Sequence, residues 1–437
     1  MSNNDLRSAV RGRVWLSGEE GFDQAAAAWN LTVEQPVAAV VEAADADDVA
    51  ALVRHAGRAG LTVTAQPRGH GATGDVDGLI LLRTTRLDEV TIHADQGWAR
   101  VGAGVTWGQV QTEAGARNLT GLAGSTPQVS VVGYLLGGGL SWFSRKYGWA
   151  ADSVVAFDIV DADGRQARVS VDSDPDLFWA LRGGGGDFAI VTAVEFRLFP
   201  ERSLYGGRIT WQGDKAAQVF DAYREVTTHA PRELSVWVHR LQFPKAPPLV
   251  AVDVTYLGDQ LKAEELLAPL SKIDGVMADR RTMLSTADLG HVTDEPITPA
   301  PALPRNELLV GLDEATVEIL LAEPIAPLID VHLRHLGGRL AEPGPLAGAS
   351  GALGEPYLLG TLGLGINPQL TEAVQAKQSK LVAQLGDRVS GRKPYTFLAA
   401  GESASQAFPE ETLARLREIK RARDPHHVFH ANYPVRH

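Results

Sequence analysis

The segment Gln66-Pro67-Arg68-Gly69-His70-Gly71-Ala72-Thr73-Gly74-Asp75 combines a titratable imidazole with three glycines spaced G-x-G-x-x-G. Glycines at this spacing offer consecutive backbone N–H groups to a phosphate, and Arg68 adds positive charge. A nicotinamide dinucleotide site would also require the loop to open a helix, with an acidic residue about 20 positions further on at a strand end. Asp88 lies near that distance, but residues 75–84, "DVDGLILLRT", read as a turn and a strand. The required helix is missing, so the loop is read as an anion nest. His70 is then either held against whatever a diphosphate carries or is a plain turn histidine, and the loop alone leaves both open.

The elements around this loop are legible from periodicity. Residues 37–43 read as a strand, 45–60 as a helix opened by an acidic cap and 61–65 as a second strand, a β-α-β unit that feeds the glycine loop. Short strands at 78–84, 89–94 and 98–104 follow, then a helix over 106–119. Gly137, Gly138 and Gly139 interrupt the next helix. A hairpin turns at Asp163-Gly164, and a helical turn, the four-glycine loop 183–186 and a long strand end at Pro200, where the domain boundary is placed. Beyond it, strands at 207–211, 234–243, 249–258, 328–338 and 357–366 alternate with helices at 214–230, 263–273, 313–324 and 370–385. That pattern predicts an antiparallel sheet with helices on one face. Residues 299–307, "PAPALPRNE", read as a proline-rich loop or linker, and the last helix must stop before Asp424-Pro425.

Composition narrows the function. At 437 residues two domains are expected, and 44% apolar residues suffice for a core in each. A net charge of −12 disfavours nucleic acid and anionic lipid and points to a small-molecule ligand. The absence of cysteine excludes disulfides, thiolate nucleophiles and cysteine metal sites. No apolar run is long enough for a signal or membrane-spanning segment, so a cytoplasmic protein is expected. Oligomeric state is not readable. No metal site is expected: His332 and His335, three apart on a strand, point to opposite faces, and no acidic or third histidine partner stands close in the chain. Trp237 with His239, and His332 with Arg334, each share a strand face that is either the pocket or the helix-packed side.

Four stretches, taken in order, carry a resemblance: residues 66–75, 126–164 ("TPQVSVVGYLLGGG" onward), 176–200 ("DLFWALRGGGGDFAIV" onward) and 416–435 ("LREIKRARDPHHVFHANYPV"). Together they resemble the berberine-bridge-enzyme-like flavoproteins of the vanillyl-alcohol oxidase/para-cresol methylhydroxylase (PCMH) superfamily. The resemblance implies an α+β fold: a two-subdomain, PCMH-type FAD-binding domain over residues 1–200, completed by 396–437, and a substrate domain over 201–395 with a helix-covered antiparallel sheet.

It further implies that His70 is bonded to the 8α carbon of FAD, with Gln66, Pro67, Arg68, Gly69 and Gly71 as the pyrophosphate loop. Relatives that attach the flavin twice have a cysteine where this chain has Thr126, so the link should be single. Val129 matches a position where a small side chain leaves a path for dioxygen, which favours an oxidase. Gly133, Gly138, Ile190, Val191 and Asn432 match further cofactor contacts. Tyr134 replaces a histidine of many relatives. Tyr395 matches a family tyrosine, with Phe397 in place of the usual asparagine, and is expected to be the base or the orienter for a substrate proton, its pKa lowered beside an electron-poor flavin; Tyr134 is a further participant. The implied reaction is hydride removal from a C–H next to O or N of a sugar, cyclic amine or natural-product intermediate, with dioxygen reduced to hydrogen peroxide. An oxygenase or dehydrogenase of secondary metabolism, and a non-catalytic flavin-binding protein, are the alternatives.

Overall fold

Asp45 opens the helix Ala46–Ala59 by accepting a hydrogen bond from the Asp48 N–H at 3.1 Å, and Gly60 closes it in a left-handed conformation. Val49, Leu52, Val53 and Ala56 bury one face of this helix. In the computed structural model, which describes residues 3–293 and 295–436, this helix connects two strands of a four-stranded sheet. Its order is Arg13–Leu16, Ala39–Glu42, Ile80–Arg83, Val63–Ala65; the last three are parallel and the first antiparallel. The expected β-α-β unit is present, and the glycine loop leaves it directly after Val63–Ala65.

A five-stranded antiparallel sheet follows, in the order Val90–His93, Trp98–Gly102, Ile190–Arg197, Val154–Val160, Gln166–Ser170. The hairpin at Asp163-Gly164 forms as expected, its turn closed by the Asp161 carboxylate accepting from the N–H groups of Asp163 and Arg165. The end of the chain returns to the first sheet. After the helix Glu410–Arg423, Val63 N–H donates to Val428 O and His430 N–H donates to Val63 O.

The third sheet has eight antiparallel strands. Its main path runs Val276–Asp279, Ser203–Gln212, Leu249–Tyr256, Leu234–Leu241, Asp330–His335, Tyr357–Leu364, Ala302–Leu309, with Thr282–Ser285 also paired to Ser203–Gln212. The helices Ala216–Thr228, Glu314–Leu321 and Pro368–Leu385 cover one face, where Val236, Val238, Val252, Val254, Val331 and Leu333 form an aliphatic core. Two expectations are corrected. Residues 299–307 are a loop only as far as 301: Ala302–Leu309 is the edge strand of this sheet, where proline is tolerated because its missing N–H can point away from the partner strand. The helix expected over 263–273 is two pieces, Gln260–Leu266 and Ala268–Ser271, divided just before Pro269. Among the described residues no helix is long and apolar enough to cross a membrane.

Candidate flavin site

Arg83 sets the shape of the glycine loop. Its buried guanidinium donates to three carbonyls, Gln66 O at 2.9 Å, Ala27 O at 2.7 Å and Ala25 O at 3.1 Å, tying the loop to the segment before the first parallel strand. Gly69 has φ +72°, and a side chain there would also approach Ala28 to 3.2 Å. The ring of His70 stacks on Trp29, 4.2 Å between centroids and 18° from parallel. Burial, helped by the Arg68 charge, lowers the His70 pKa to about 4, so the imidazole is neutral near pH 7. Its Nε2 is buried and has no hydrogen-bond partner among the described residues. Pro67 continues the loop, while Gln66 Nε2 donates to Asn432 Oδ1 at 3.1 Å, and a Cβ on Gly71 would come within 3.2 Å of Asn432 Nδ2. Loop and tail thus meet as the motif order suggested.

Asn432 is positioned by a buried ionic cluster that sequence reading missed. Lys420 Nζ donates to Asp187 O at 2.6 Å, Asp424 Oδ2 at 2.8 Å, Phe429 O at 2.9 Å and Asp187 Oδ1 at 3.1 Å. The two carboxylates in turn accept from the backbone N–H groups of Val428, Phe429, Ala431 and Val435. Lys420 stands in the last turn of the helix and Asp424, four residues on, caps its end, a spacing visible in the sequence; Asp187 is not predictable from it.

Thr126 and Val129 precede the short helix Val131–Leu136, which Ser130 caps by accepting from the Gly133 N–H. Thr126 Oγ1 and Tyr134 Oη are both buried without partners. Tyr134 meets Trp107 edge-on, and Gly138 packs against Ser350 and Trp149. Burial raises the Tyr134 pKa, with the Arg334 charge opposing, so it is a neutral hydroxyl. Ile190 and Val191 are buried at the start of the central strand Ile190–Arg197.

Tyr395 does not meet its expectation as a base. Its hydroxyl donates to Tyr433 O at 3.0 Å, and its ring packs against Phe408 and Tyr433. Burial raises its pKa rather than lowering it, with Asp187 and Tyr433 adding to the effect. Gly185 is what lets it in: a Cβ there would lie 2.4 Å from the Tyr395 hydroxyl.

The open choice of strand face is resolved. Trp237 and His239 pair in register with Arg334 and His332, on the side of the large sheet opposite its helices. Trp237 stacks on Trp142, 3.6 Å between centroids, so this side faces the segment that carries Tyr134. The expectation that His332 lacks an acidic partner is also corrected: Asp330 lies beside it, 2.8 Å from Nδ1, and also 3.1 Å from Nδ1 of His239. Ligand atoms of His239, Asp330 and His332 lie close enough together to reach one ion, but both nitrogens of His332 and Nδ1 of His239 are already hydrogen-bonded. His335 points to the other face, as its spacing requires, where its Nε2 accepts from Arg145.

Residues 37–170 match the family model described as FAD binding domain. Over 471 residues the chain is 27% identical to (R)-6-hydroxynicotine oxidase of Paenarthrobacter nicotinovorans, covering 98% of this chain and 97% of that one. It is 32% identical over 282 residues to glucooligosaccharide oxidase of Sarocladium strictum, 62% of this chain and 55% of the relative. Matches to three further curated relatives likewise span about half or less of those proteins. The solved structure of a BBE-like protein of Physcomitrella patens superposes with a TM-score of 0.86 over 99% of both chains at 18% identity, a likeness of fold. The chain carries an FAD binding domain and over its length is similar to PCMH-type FAD oxidases. It is an FAD-dependent oxidoreductase with the expected α+β architecture.

The flavoprotein's own residues fit the cofactor. Gln66 Oε1, Arg68 Nε, His70 Nε2, Thr126 Oγ1 and Tyr134 Oη are all buried polar atoms without a partner among the described residues, along two of the stretches that carry the resemblance. Buried polar atoms call for partners, and a bound cofactor would supply them here.

Proposed function

We propose that this chain is an oxidase that holds FAD through a single covalent bond from His70 and reduces dioxygen to hydrogen peroxide with electrons from a small molecule. The observation that carries the tether is the neutral His70 imidazole with its buried, unpartnered Nε2, fixed by Trp29 and by a loop that Arg83 clamps. A neutral ring keeps the lone pair that bond formation needs. When bound, FAD accepts two electrons as hydride from a C–H next to O or N and passes them to dioxygen.

The remaining residues hold and orient. Gln66, Pro67, Arg68, Gly69 and Gly71 provide backbone donors and charge for the diphosphate, and Asn432 closes the loop from the tail. Thr126, Gly133, Gly138, Ile190 and Val191 line the cofactor, and Val129 leaves room for dioxygen. Tyr134 keeps its proton near neutral pH, so its hydroxyl is a hydrogen-bonding orienter for the reacting O–H or N–H, not a base. The substrate class is drawn from alcohols, sugars and cyclic amines, in line with the named activities of the relatives. The domain division at residues 200 and 395 and a cytoplasmic location rest on the sequence.

The test is intact mass and colour after acid precipitation. A yellow pellet, heavier than the polypeptide by one FAD and colourless in His70→Ala, is expected; release of all colour to the supernatant from the wild type would refute the tether. Stoichiometric peroxide formation tests the oxidase assignment against an oxygenase or dehydrogenase.

A further inference from the structure

The non-helical face of the large sheet carries an alternating series of charges across four adjacent strands. Arg208 on Ser203–Gln212 forks onto both oxygens of Asp253 on Leu249–Tyr256, at 2.6 and 2.7 Å. His239 on Leu234–Leu241 places Nε2 3.1 Å from Asp253 Oδ2 and Nδ1 3.1 Å from Asp330 Oδ1. On Asp330–His335, His332 Nδ1 lies 2.8 Å from Asp330 Oδ2, and Arg334 Nε donates to His332 Nε2 at 3.1 Å. That last bond fixes His332 as the neutral tautomer with its proton on Nδ1, donated to Asp330. His239 sits between two carboxylates and is held as imidazolium: burial alone would lower its pKa, but Asp330 and Asp253 together raise it to about 9.

The charges therefore alternate and cancel along the series up to its end, where Arg334 remains. Its guanidinium carbon lies 3.9 Å from the centre of the Trp237 ring and 5.3 Å from that of Phe397. Among the described residues it makes no ion pair with a carboxylate, and its one hydrogen bond is through Nε. The Glu295 charge acts on it but makes no contact. Arg334 is part-exposed on the side of the sheet that faces Tyr134, held through Nε with both Nη groups without a partner among the described residues.

We infer that Arg334 is the anchor for an anionic group of the substrate, and that this oxidase acts on molecules bearing a carboxylate. A planar guanidinium with both Nη groups free matches a carboxylate in bidentate fashion, and a cationic amine would be repelled. His332, Asp330 and His239 are positioning residues: they hold Nε so that the Nη fork cannot turn away. The inference deepens the function proposed above and rests on this face being the substrate side.

The test uses the yellow holoenzyme and two isosteric probes, benzoate and benzamide, with binding read by titration calorimetry and by perturbation of the flavin absorption band. Benzoate is expected to bind at least tenfold more tightly than benzamide. Arg334→Met should weaken benzoate about 10- to 100-fold while leaving benzamide unchanged. Arg334→Lys, which keeps the charge and loses the fork, should weaken benzoate about tenfold, and decides the matter if the methionine variant does not fold. Equal affinity for the two probes, no benzoate heat with yellow wild type, or unchanged benzoate affinity in the variant that folds would overturn the inference. The colour of the preparation reads the cofactor assignment separately, so failure of one is not failure of the other.

Discussion

Lys420→Met should detach the C-terminal tail from the flavin site. Lys420, Asp187 and Asp424 have side chains no more than 2% exposed, so the substitution removes the one cation that, among the described residues, pairs with these two desolvated carboxylates. Breaking a buried pair on one side costs about 3–5 kcal/mol, because the stranded charge loses its partner without regaining water. Backbone donors soften this, since Asp187 Oδ1 keeps the Ala431 N–H and Asp424 Oδ2 keeps the Phe429 N–H, but both oxygens lose the cation they faced. At about 2 °C per kcal/mol, the low end for large units, thermal unfolding should fall by roughly 6–10 °C. A local readout separates this from general damage. The Val63 and His430 amides hydrogen-bond across the tail and the first sheet, so their hydrogen exchange should accelerate while that of the large sheet does not. Flavin content should fall with it, since Asn432 rides on the same tail. A variant within about 1 kcal/mol of wild type, or one destabilised with those amides still protected, would refute the account.

Further outcomes follow from the same geometry. Tyr395→Phe should cost about 1 kcal/mol, the hydrogen bond to Tyr433 O, and leave the pH profile of turnover unchanged; a loss of several orders of magnitude in rate would restore Tyr395 as a base. His239 gives stability a slope in alkali. Its folded pKa, about 9, lies above the unfolded value of 6.5, so its contribution is complete below pH 6.5 and is lost as pH rises through 9, of order 3 kcal/mol in all. Thermal unfolding of wild type should therefore drop more between pH 6 and 9.5 than that of His239→Gln, and equal drops would count against the assignment.

What the sequence discloses is what local chemistry determines. The Asp45 cap, the turn at Asp163-Gly164 and the spacing of Gly69 and Gly71 around His70 each act over a few residues, and all form as read. The proline-rich stretch 299–307 misleads because proline argues against a strand only if its position in the sheet is central, and position in the sheet is not a local property. Tyr395 misleads for a related reason: the direction of a phenol's pKa depends on what buries it, and Phe408, Tyr433 and Asp187 are remote in sequence. Arg83 and Trp29 shape the flavin loop from far along the chain and carry no motif. The face shared by His332 and Arg334 is legible from alternation, and Asp330, two residues earlier, falls on it by the same rule and completes the spacing of the hydrogen-bonded series.

The same strands set that face apart from the helix-packed one. Val236 and Val238 alternate with Trp237 and His239, and Val331 and Leu333 with His332 and Arg334. One side of the sheet is thus aliphatic and sealed by helices, while the other carries two arginines, two aspartates and two histidines, of which Asp253, His239 and His332 are buried. Stability alone would favour the aliphatic solution on both sides, since desolvating charges costs at least what their pairing returns. Cross-strand register then has to be kept exact over four strands for the series to close, because a slip of one residue would turn every charge into the helix-packed core. A sheet that bears both costs on the side facing the flavin segments, and ends the series on a guanidinium with two free nitrogens, is built to present that guanidinium to a ligand.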